Sequence, residues 1–477
     1  MLNSRTRSAL LKIAITKQHF GAKYNLQLKF GQASLWTIFR GDEEGRRPLR
    51  LPSPGSSPPL EPLTSYKNGQ FFRKMEKTVG FFSIFEKAPW YPPFMIRRLL
   101  QRPTQAKKSF FLFGPRGTGK TWWVREQFPS AIYIDLLDTR TLIELLARPQ
   151  LLEERIPPGF DDWIVIDEVQ KAPALLNEVH RLIESRKLAF VLTGSSGRAL
   201  RRQGVNLLAG RALTVHMHPL TWSEMGGEAS LARAIHWGCL PSLLTEEEPL
   251  LYLTSYVQTY LREEVLEEGL MRSLGEFHRF LEAASFSQAQ LLNLSQVARE
   301  AAIPRRQVES FFTILEDLLI AVQLPIFQRR AKRRLTAHPK FFFFDAGVFR
   351  AIRPKGPLDT EADIDGPALE TLLLQQIRAI NDYGHLGYNV YYWRTDSGLE
   401  VDFVLYGERG LLAWEIKRSA TFNDKDLRGL LAFGSDYPEA ELFLLYNGRE
   451  RRYRDKIQII PFEEAIRELP LLLERPG

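Results

Sequence analysis

Residues 110–128, FFLFGPRGTGKTWWVREQF, combine three glycines with a lysine and a threonine at a spacing that suits phosphate binding. Gly114 and the run Gly119-Lys120-Thr121 fit G-x-x-x-x-G-K-[ST], a loop whose backbone N–H groups surround phosphate oxygens. In such a loop the lysine reaches the β- and γ-phosphates of ATP, and the threonine hydroxyl contacts Mg²⁺. The residues of this loop predicted to bind the nucleotide are Gly114, Pro115, Arg116, Gly117, Thr118, Gly119, Lys120, Thr121 and Trp122.

A pair of acids follows an apolar run in DWIVIDEVQKAP, residues 162–173. Asp167 is predicted to hold the Mg²⁺ shell together with Thr121, because P-loop ATPases carry such a carboxylate at a strand end. Glu168 is predicted to orient or deprotonate the attacking water. Lys120 and Glu168 are therefore the first two predicted catalytic residues. The alternative interpretation is two solvated acids at the end of a strand.

Two further segments carry groups suited to the γ-phosphate. In VLTGSSGRAL, residues 191–200, Thr193, Ser195 or Ser196 is expected to hydrogen-bond the γ-phosphate or its water, and Thr193 is included among the predicted nucleotide ligands. The alternative is that these residues cap a turn. Arg211 is the third predicted catalytic residue, because an arginine reaching the developing phosphoryl charge recurs in ATPases. It is expected to act in its own subunit or a neighbouring one, with a surface ion pair as the alternative.

The elements that must position these groups alternate between strands and helices. Short apolar runs such as SFFLFG, AIYIDL, DWIVIDE, AFVLTGS and ALTVHMHPL predict strands that are buried on both faces, and helical patterns separate them. Such alternation favours a parallel, three-layer α/β sheet. Ligands bind beyond the carboxyl ends of the strands in sheets of this kind.

Several of these segments together resemble a large prokaryotic family of AAA-type ATPases. The segments are FGPRGTGKT, IVIDEVQKAP, LTGSSGRAL, LLAGRA, HPLTWSEM and GCLPSLL…SYVQTYLREEV, and the resemblance covers nearly all of residues 90–460. It implies an AAA-type P-loop fold and ATP binding. Family members carry a C-terminal domain of unknown function. Where members have a Gly-Gly-Leu-Pro box, this chain has Gly238-Cys239-Leu240-Pro241, which leaves the conformation of that turn open.

The middle of the chain predicts a winged helix. In LNLSQVAREAAIPRRQVESFFTILEDLLIAVQL two helices meet at Ile303-Pro304, with Ser295 as the expected N-cap of the first, and a strand, a basic tip and a second strand follow. Arg305 and Arg306 are expected at the start of a recognition-type helix. The alternative is an interdomain spacer with a solvated charged tip, and the strand KFFFFD is expected to be buried. The residues of the tip that are expected to approach DNA phosphates are Arg329, Arg330, Lys332, Arg333 and Arg334.

A second set of carboxylates occurs in residues 393–420, WRTDSGLEVDFVLYGERGLLAWEIKRSA. A hairpin centred between Glu408 and Arg409 pairs Asp402 with Glu415, and alternation then predicts which side chains share a face. Because like charges opposite each other destabilise a hairpin, a shared divalent cation is expected to offset them. The predicted polar face holds Glu400, Asp402, Glu415 and Lys417, and the predicted apolar face holds Val401, Phe403, Trp414 and Ile416.

The pattern D-x₁₂-E-x-K formed by Asp402, Glu415 and Lys417 resembles the PD-(D/E)xK nuclease superfamily. Because such nucleases often add an acid from a preceding helix, the resemblance implies a role for Glu370 in DGPALETLLLQQIRAI. It also implies an α/β restriction-endonuclease-like fold. No proline precedes Asp402, which is a mild departure. The alternative is a fold of this kind that binds DNA without cleaving it.

Composition limits the classes of function. Of 64 Lys and Arg residues, 13 lie in residues 1–74, against 4 of the 56 Asp and Glu residues, which leaves 51 basic and 52 acidic groups in residues 75–477. The overall charge of +8 is therefore no argument for nucleic-acid binding by the folded part. A single cysteine fits a reducing cytoplasm, and no apolar run approaches the length of a membrane span.

These patterns divide the chain into five parts. The predicted parts are a disordered extension or wrongly assigned start at 1–74, an AAA-type core at 90–225, a helical lid or linker at 226–290, a winged-helix-like part at 291–350 and a nuclease-like part at 351–470. The leading hypothesis is a cytoplasmic Mg²⁺-dependent ATPase coupled to a nuclease-like domain on DNA. The alternative is an ATP-dependent switch that binds nucleic acid or a protein partner without cleaving it. A homo-oligomer is a further expected assembly, and a small-molecule kinase is the weakest hypothesis.

Overall fold

The computed structural model separates into two compact units, Met1–Tyr91 and Pro92–Gly477. The structure describes residues 15–20, 23–30, 33–39, 96–103, 107–198, 200, 208–261, 274–329, 331–335 and 338–474. Within these residues no helix is both long and apolar enough to cross a membrane.

The first unit contains a small antiparallel sheet. Its strands are β1 Ile15–Phe20, β2 Lys23–Phe30 and β3 Ala33–Phe39, paired in that order. Ile15 pairs with Leu28, and Phe30 pairs with Ala33. These strands lie within residues 1–74, for which a disordered extension or a wrongly assigned start stays a prediction. The rest of that predicted segment lies outside the described residues.

A five-stranded parallel sheet opens the second unit, with the order β5-β6-β7-β4-β8. This confirms the α/β fold with a parallel sheet that the alternating pattern predicted. Alternate residues of one strand enter two separate cores, Phe111 and Phe113 on one face and Phe110 and Leu112 on the other, as expected for a sheet covered on both sides. The strands are β4 Ser109–Phe113, β5 Ile132–Asp135, β6 Trp163–Asp167, β7 Ala189–Gly194 and β8 Ala212–His216.

The helices of this part follow the strands closely. Asp138 caps one of them, because its side chain accepts a hydrogen bond from the backbone N–H of Thr141. The helices are α1 Lys120–Gln127, α2 Thr139–Ala147, α3 Leu151–Glu154 and α4 Leu175–Arg186.

The next part of the chain is helical. Its helices are α5 Trp222–Met225, α6 Leu231–Trp237, α7 Pro249–Ser255 and α8 Leu274–Ser285, and a π-helical turn covers Tyr256–Leu261. Thr221 and Glu224 form a reciprocal capping box at the start of α5.

Three helices, a short strand and a two-stranded antiparallel sheet make up the middle segment. The elements are β9 Gln290–Leu291, α9 Leu294–Ala301, α10 Arg305–Asp317, β10 Ala321–Leu324, β11 Lys340–Phe343 and α11 Ala346–Ile352. The predicted cap Ser295 is wrong, because the side chain of Asn293 accepts the hydrogen bond from Gln296 N–H instead. The expected burial of the phenylalanine strand is confirmed, since Phe341, Phe342 and Phe343 are at most 1% exposed.

The C-terminal part is a six-stranded mixed sheet with the order β12-β13-β14-β15-β17-β16. Helix α12 Glu361–Tyr383 precedes the sheet in the chain. Helix α13 Arg428–Asp436 lies between the third and fourth strands in chain order, and α14 Phe462–Glu474 follows the last strand. The strands are β12 Asn389–Arg394, β13 Glu400–Gly407, β14 Gly410–Lys417, β15 Glu441–Tyr446, β16 Arg452–Arg454 and β17 Ile457–Pro461.

The hairpin register in this sheet is confirmed, but one face prediction is wrong. Phe403 pairs with Trp414, and Gly407 pairs with Gly410, which centres the turn as expected. The pairing between β12 and β13 shifts by one residue between Tyr391 and Trp393. Val401 therefore packs in a different core from Phe403, Trp414 and Ile416, because an extra residue in a strand reverses the alternation beyond it.

Candidate functional site

The phosphate loop connects β4 to α1 at the carboxyl edge of the parallel sheet. A Cβ atom on Gly114 would lie 2.3 Å from the Met217 carbonyl oxygen, so only glycine fits this position. Gly119 has φ of 91° and immediately precedes the first helical residue, Lys120. A left-handed residue here turns the chain from the loop into the helix, whose N-terminal N–H groups then face the loop.

The ammonium group of Lys120 lies inside the curve of this loop. Its Nζ donates hydrogen bonds to the carbonyl oxygens of Gly114 at 2.6 Å and Pro115 at 3.1 Å. The Thr118 hydroxyl also donates to the Pro115 carbonyl, at 2.8 Å. The loop is thus closed around a buried cation at the place where the sequence predicted phosphate binding.

Asp167 joins three hydroxyl groups at the end of β6. Its Oδ2 accepts a hydrogen bond of 2.9 Å from Thr121 Oγ1 and another from the Tyr133 hydroxyl, and its Oδ1 accepts one from Thr193. Asp167 is 1% exposed. Burial, followed by the charge of Asp167, raises the pKa of Tyr133 far above its ordinary value, so this phenol stays a donor.

The residues predicted to hold Mg²⁺ fit that ion. Thr121 and Asp167 supply hydroxyl and carboxylate oxygens within hydrogen-bonding distance of each other. Mg²⁺ is usually held by one or two protein oxygens together with phosphate oxygens and water. Within the described residues, no group of three or more His, Cys, Asp or Glu side chains could hold a metal ion.

Glu168 follows Asp167 with a left-handed backbone, at φ of 60°. Its N–H donates to Thr193 Oγ1 at 3.1 Å, and its carboxylate accepts a hydrogen bond from Gln170. Thr193 therefore contacts both predicted acids. Of the two other candidates, Ser195 lies 3.4 Å from Gln170 Nε2, whereas Ser196 accepts from the backbone N–H of Arg198.

The remaining loop residues have separate environments. Arg116 is exposed, and its carbonyl accepts a hydrogen bond of 2.9 Å from the Tyr256 hydroxyl. Trp122 is half-buried on the first turn of α1. Tyr256 belongs to the helical part that follows the parallel sheet, so this part directly contacts the loop.

Arg211 lies at the opposite edge of the sheet from the phosphate loop. It precedes Ala212, which pairs with Ser109 at the amino end of β4, whereas the loop begins after Phe113 at the other end. Its guanidinium forms an ion pair with Glu184. A role for Arg211 in its own subunit does not fit this placement, and a role toward a neighbouring subunit stays a prediction.

Arg98 is a buried residue at the loop that sequence reasoning missed. Its guanidinium donates to the Thr118 carbonyl at 2.6 Å, to the His218 carbonyl at 2.7 Å and to Glu224 at 2.9 Å. Glu224 also accepts from the Leu99 N–H at 2.6 Å. In the sequence nothing separates Arg98 from the exposed Arg97, so no signal marked it.

Arg98 also connects the phosphate loop to the last turn of α12. The Tyr383 hydroxyl accepts hydrogen bonds from Arg98 Nη2 at 3.1 Å and from His218 N–H at 2.9 Å. The neighbouring Asp382 carboxylate lies 2.6 Å from His218 Nε2. Burial lowers the pKa of His218, although hydrogen bonding to Asp382 opposes this.

Gly238 and Cys239, where the chain departs from the Gly-Gly-Leu-Pro box, pack against Asp345. Asp345 Oδ2 accepts a hydrogen bond of 2.8 Å from Cys239 N–H, and a Cβ on Gly238 would lie 2.0 Å from Asp345 Oδ1. Asp345 Oδ1 also caps α11 by accepting from Val348 N–H at 3.0 Å. Burial raises the pKa of Asp345 to about 6. The turn therefore has a structural role at the start of α11.

The predicted second site is assembled around a lysine that was not predicted. Lys340 Nζ lies 2.8 Å from Glu370, 3.0 Å from Glu400 and 2.9 Å from Asp402. Glu415 forms an ion pair of 2.8 Å with Lys417. The sequence does contain a signal for Lys340, because it directly precedes four phenylalanines that are buried. A charged group beside a buried strand requires partners of opposite charge.

The charges of this cluster change the proton affinities of its members. Burial, then the charge of Asp402, raises the pKa of Glu415 well above its ordinary value and that of Glu370 to about 8. Burial opposes the charged form of Lys340, but the carboxylates raise its pKa well above the usual value. Among the described residues, Glu415 Oε2 has no hydrogen-bond partner, although it is buried.

The basic tip of the middle segment contacts the C-terminal sheet in this structure. Arg333 pairs with Asp436 at 2.7 Å, and Arg334 pairs with Asp396 at 2.9 Å. The guanidinium of Arg329 lies 4.8 Å from the centre of the Tyr406 ring. Lys332 is exposed, Arg330 lies outside the described residues, and Arg305 pairs with Glu309.

Comparison with known proteins gives relatives of undefined role. Uncharacterized proteins of Mycobacterium bovis and Mycobacterium tuberculosis are each 24% identical over 378 residues, which cover 77% of this chain and 83% of theirs. An uncharacterized protein of Haemophilus influenzae is 21% identical over 333 residues, or 65% of this chain and 79% of its own. A crystal structure of a Vibrio cholerae protein aligns over 72% of this chain and 97% of its own at 13% identity, with a TM-score of 0.20.

Family models match three consecutive segments of the chain. Residues 228–359 and 365–465 match two domains of unknown function, DUF8612 and DUF4143. Residues 106–226 match the family described as AAA domain. With the parallel five-stranded sheet and the phosphate loop, this match identifies residues 106–226 as an AAA-type P-loop domain, the domain of ATP-binding AAA ATPases.

Proposed function

We propose that this protein is a Mg²⁺-dependent ATPase that acts as a switch, in which the nucleotide at the phosphate loop changes the contacts of the C-terminal part. The observation that carries the proposal is the position of Arg98. One guanidinium group contacts both the Thr118 carbonyl in the phosphate loop and the Tyr383 hydroxyl at the end of α12.

The residues of the loop have the roles that ATP hydrolysis requires. Lys120 exchanges the carbonyl oxygens of Gly114 and Pro115 for phosphate oxygens when ATP binds. Thr121 and Asp167 hold Mg²⁺, which neutralises charge on the phosphates. Glu168 orients the attacking water, and its position depends on Thr193 and Gln170, to which it is hydrogen-bonded.

A conformational change in the phosphate loop is transmitted to the C-terminal part through a small number of hydrogen bonds. Thr118 contributes its carbonyl to Arg98 and its hydroxyl to the Pro115 carbonyl, so a loop that opens around phosphate displaces Arg98. Because Arg98 and its partner Glu224 are both at most 8% exposed, water cannot readily replace either partner. The displacement is then transmitted to Tyr383, and through it to α12.

The partner of the switch is a nucleic acid or a protein. Exposed cations at Arg306 and Lys332 favour an anionic surface on the partner. Arg333 and Arg334 are also exposed, although they form ion pairs with Asp436 and Asp396, and phosphates would compete with these carboxylates for them.

Phosphodiester cleavage by the C-terminal part is a second candidate function. The buried Glu415 Oε2, which lacks a hydrogen-bond partner among the described residues, favours it, as does the clustering of Glu370, Asp402 and Glu415. Incubation with plasmid DNA and Mg²⁺ or Mn²⁺, with and without ATP, tests this function. Cleavage that is lost in Asp402→Asn supports it, and intact plasmid in every condition contradicts it.

The switch is tested with Tyr383→Phe, which removes the hydroxyl that accepts from Arg98 and His218. In the wild type, a non-hydrolysable ATP analogue is expected to change hydrogen exchange in the last turns of α12. The variant should hydrolyse ATP but lose this change. Tyr453→Phe is the matched control, because Tyr453 is 68% exposed.

Three results would contradict the proposal. The ATPase assignment fails if the wild type hydrolyses no ATP, or if Lys120→Ala hydrolyses it at the wild-type rate. The coupling assignment fails if the response of α12 to the analogue persists in Tyr383→Phe.

A further inference from the structure

A lysine side chain occupies the centre of the carboxylate cluster in the C-terminal part. The Lys340 ammonium contacts Glu370, Glu400 and Asp402 at distances between 2.8 and 3.0 Å, and its side chain is 3% exposed. Lys340 belongs to the middle segment, at the first position of β11, whereas the carboxylates belong to α12 and β13. A cation from one segment therefore neutralises acids of another.

Both oxygens of Asp402 and both oxygens of Glu400 are already engaged by donors. Asp402 Oδ1 accepts from Lys340, and Asp402 Oδ2 accepts the Ile416 N–H at 2.9 Å. Glu400 Oε1 accepts from Lys340, and Glu400 Oε2 accepts from Arg394 at 2.7 Å. A divalent cation at this position would have to displace an ammonium and compete with these donors.

The cluster is also nearly balanced in charge. It contains four carboxyl groups, those of Glu370, Glu400, Asp402 and Glu415, and three cations, those of Lys340, Arg394 and Lys417. Because burial raises the pKa of Glu370 and of Glu415, the cluster holds no surplus of negative charge. Adding a doubly charged ion while Lys340 stays in place would bring like charges together within a buried volume. Removing Lys340 would leave buried carboxylates without a counter-charge, which a divalent cation could neutralise.

We infer that Lys340 is the resident cation of this cluster, that it supplies to Asp402 and Glu370 the positive charge which the nuclease resemblance assigns to a divalent metal, and that it fastens the middle segment to the C-terminal sheet. This inference does not depend on ATP hydrolysis, but it competes with the second candidate function, because metal-dependent cleavage would need a divalent cation at Asp402. Two ion pairs of the basic tip, Arg333 with Asp436 and Arg334 with Asp396, join the same two segments.

Mn²⁺ binding to nucleotide-free protein, followed by electron paramagnetic resonance, tests the inference. The wild type is expected to bind no Mn²⁺ that depends on Asp402. Lys340→Met is expected to gain one Mn²⁺ per chain, with an affinity at least tenfold higher than any binding by the wild type, and Lys340→Met/Asp402→Asn is expected to lose it. Lys332→Met, which removes an exposed lysine nearby, should behave as the wild type.

Lys340→Met/Glu370→Gln keeps the test decisive if Lys340→Met does not fold, because it removes one cation and one anion together. It should still bind Mn²⁺ more tightly than the wild type. Wild-type Mn²⁺ binding that Asp402→Asn abolishes would overturn the inference. So would a folded variant without Lys340 that binds no more Mn²⁺ than the wild type. Both results leave the ATPase proposal untouched, because no nucleotide is present.

Discussion

The hydroxyl of Thr121 donates a hydrogen bond of 2.9 Å to Asp167 Oδ2, and this contact joins the first turn of α1 to the end of β6. These two residues are 46 positions apart in the chain. The parallel sheet brings them together because β4 and β6 both end at the same edge, on either side of β7.

Asp167→Asn is expected to lower ATP turnover by roughly 100-fold, because a neutral amide stabilises Mg²⁺ and the phosphoryl charge poorly. Steady-state phosphate release measures this. Asp161→Asn is the control, since Asp161 is exposed in the loop before the same strand. Turnover in Asp167→Asn equal to that of the control would remove Asp167 from the site.

Gly114→Ala is expected to weaken ATP binding and to lower the free energy of unfolding by about 1–3 kcal/mol, the usual cost of overpacking. The added Cβ would lie 2.3 Å from the Met217 carbonyl oxygen, which is backbone and cannot rotate away. Gly227→Ala is the control, because nothing lies within 4 Å of the added atom there. Calorimetric titration with ATP and chemical denaturation distinguish the two variants.

Asn293→Ala is expected to lower the free energy of unfolding by about 1 kcal/mol, because it removes the cap of α9. Ser295→Ala should change it by less than about 0.5 kcal/mol, since Ser295 is exposed and does not cap the helix. Denaturation in urea compares them. If Ser295→Ala lowers the free energy of unfolding more than Asn293→Ala does, then Ser295 is the N-cap, as the sequence predicted.

Asp345 is expected to make the protein less stable as the pH rises from about 4 to about 6. Burial raises its folded pKa to about 6, from 3.8 for an ordinary aspartate, so the fold favours the protonated form. Its contribution is fully present below the unfolded pKa and is lost as pH rises through the folded pKa, by about 3 kcal/mol at most.

Unfolding free energies measured between pH 4 and pH 7 test this dependence. Asp345→Asn should flatten the profile, whereas the exposed Asp161→Asn should keep the slope of the wild type. Equal slopes in the wild type and Asp345→Asn would show that Asp345 is not the group responsible.

Local patterns predicted the groups that act within one element or one tight turn. The phosphate loop follows from the spacing of Gly114, Gly119 and Lys120, and the hairpin register follows from the position of its turn. The predicted alternation of side chains between the two faces of the sheet was wrong at Val401. The shift in register that displaces Val401 arises from pairing with β12, which the sequence of the hairpin does not reveal.

Residues that act between distant segments escaped prediction. Arg98 meets Tyr383 across 285 positions, and Lys340 meets Asp402 across 62. A single sequence shows that Arg98 and Lys340 are charged, but it does not show which distant residues they contact. The basic tip shows the same limit, since its charges indicated an exposed surface, which Arg333 and Arg334 have, but not their ion pairs with Asp436 and Asp396.

The burial of Cys239 has a practical consequence for observing the protein at work. The sole sulfhydryl of the chain is 1% exposed, and burial raises its pKa above the ordinary value, so maleimide reagents will leave it unmodified. Leu137→Cys and Leu358→Cys, at positions that are 57% and 95% exposed, would accept a pair of fluorophores in the native background. Energy transfer between the two dyes would then follow turnover in real time in single molecules.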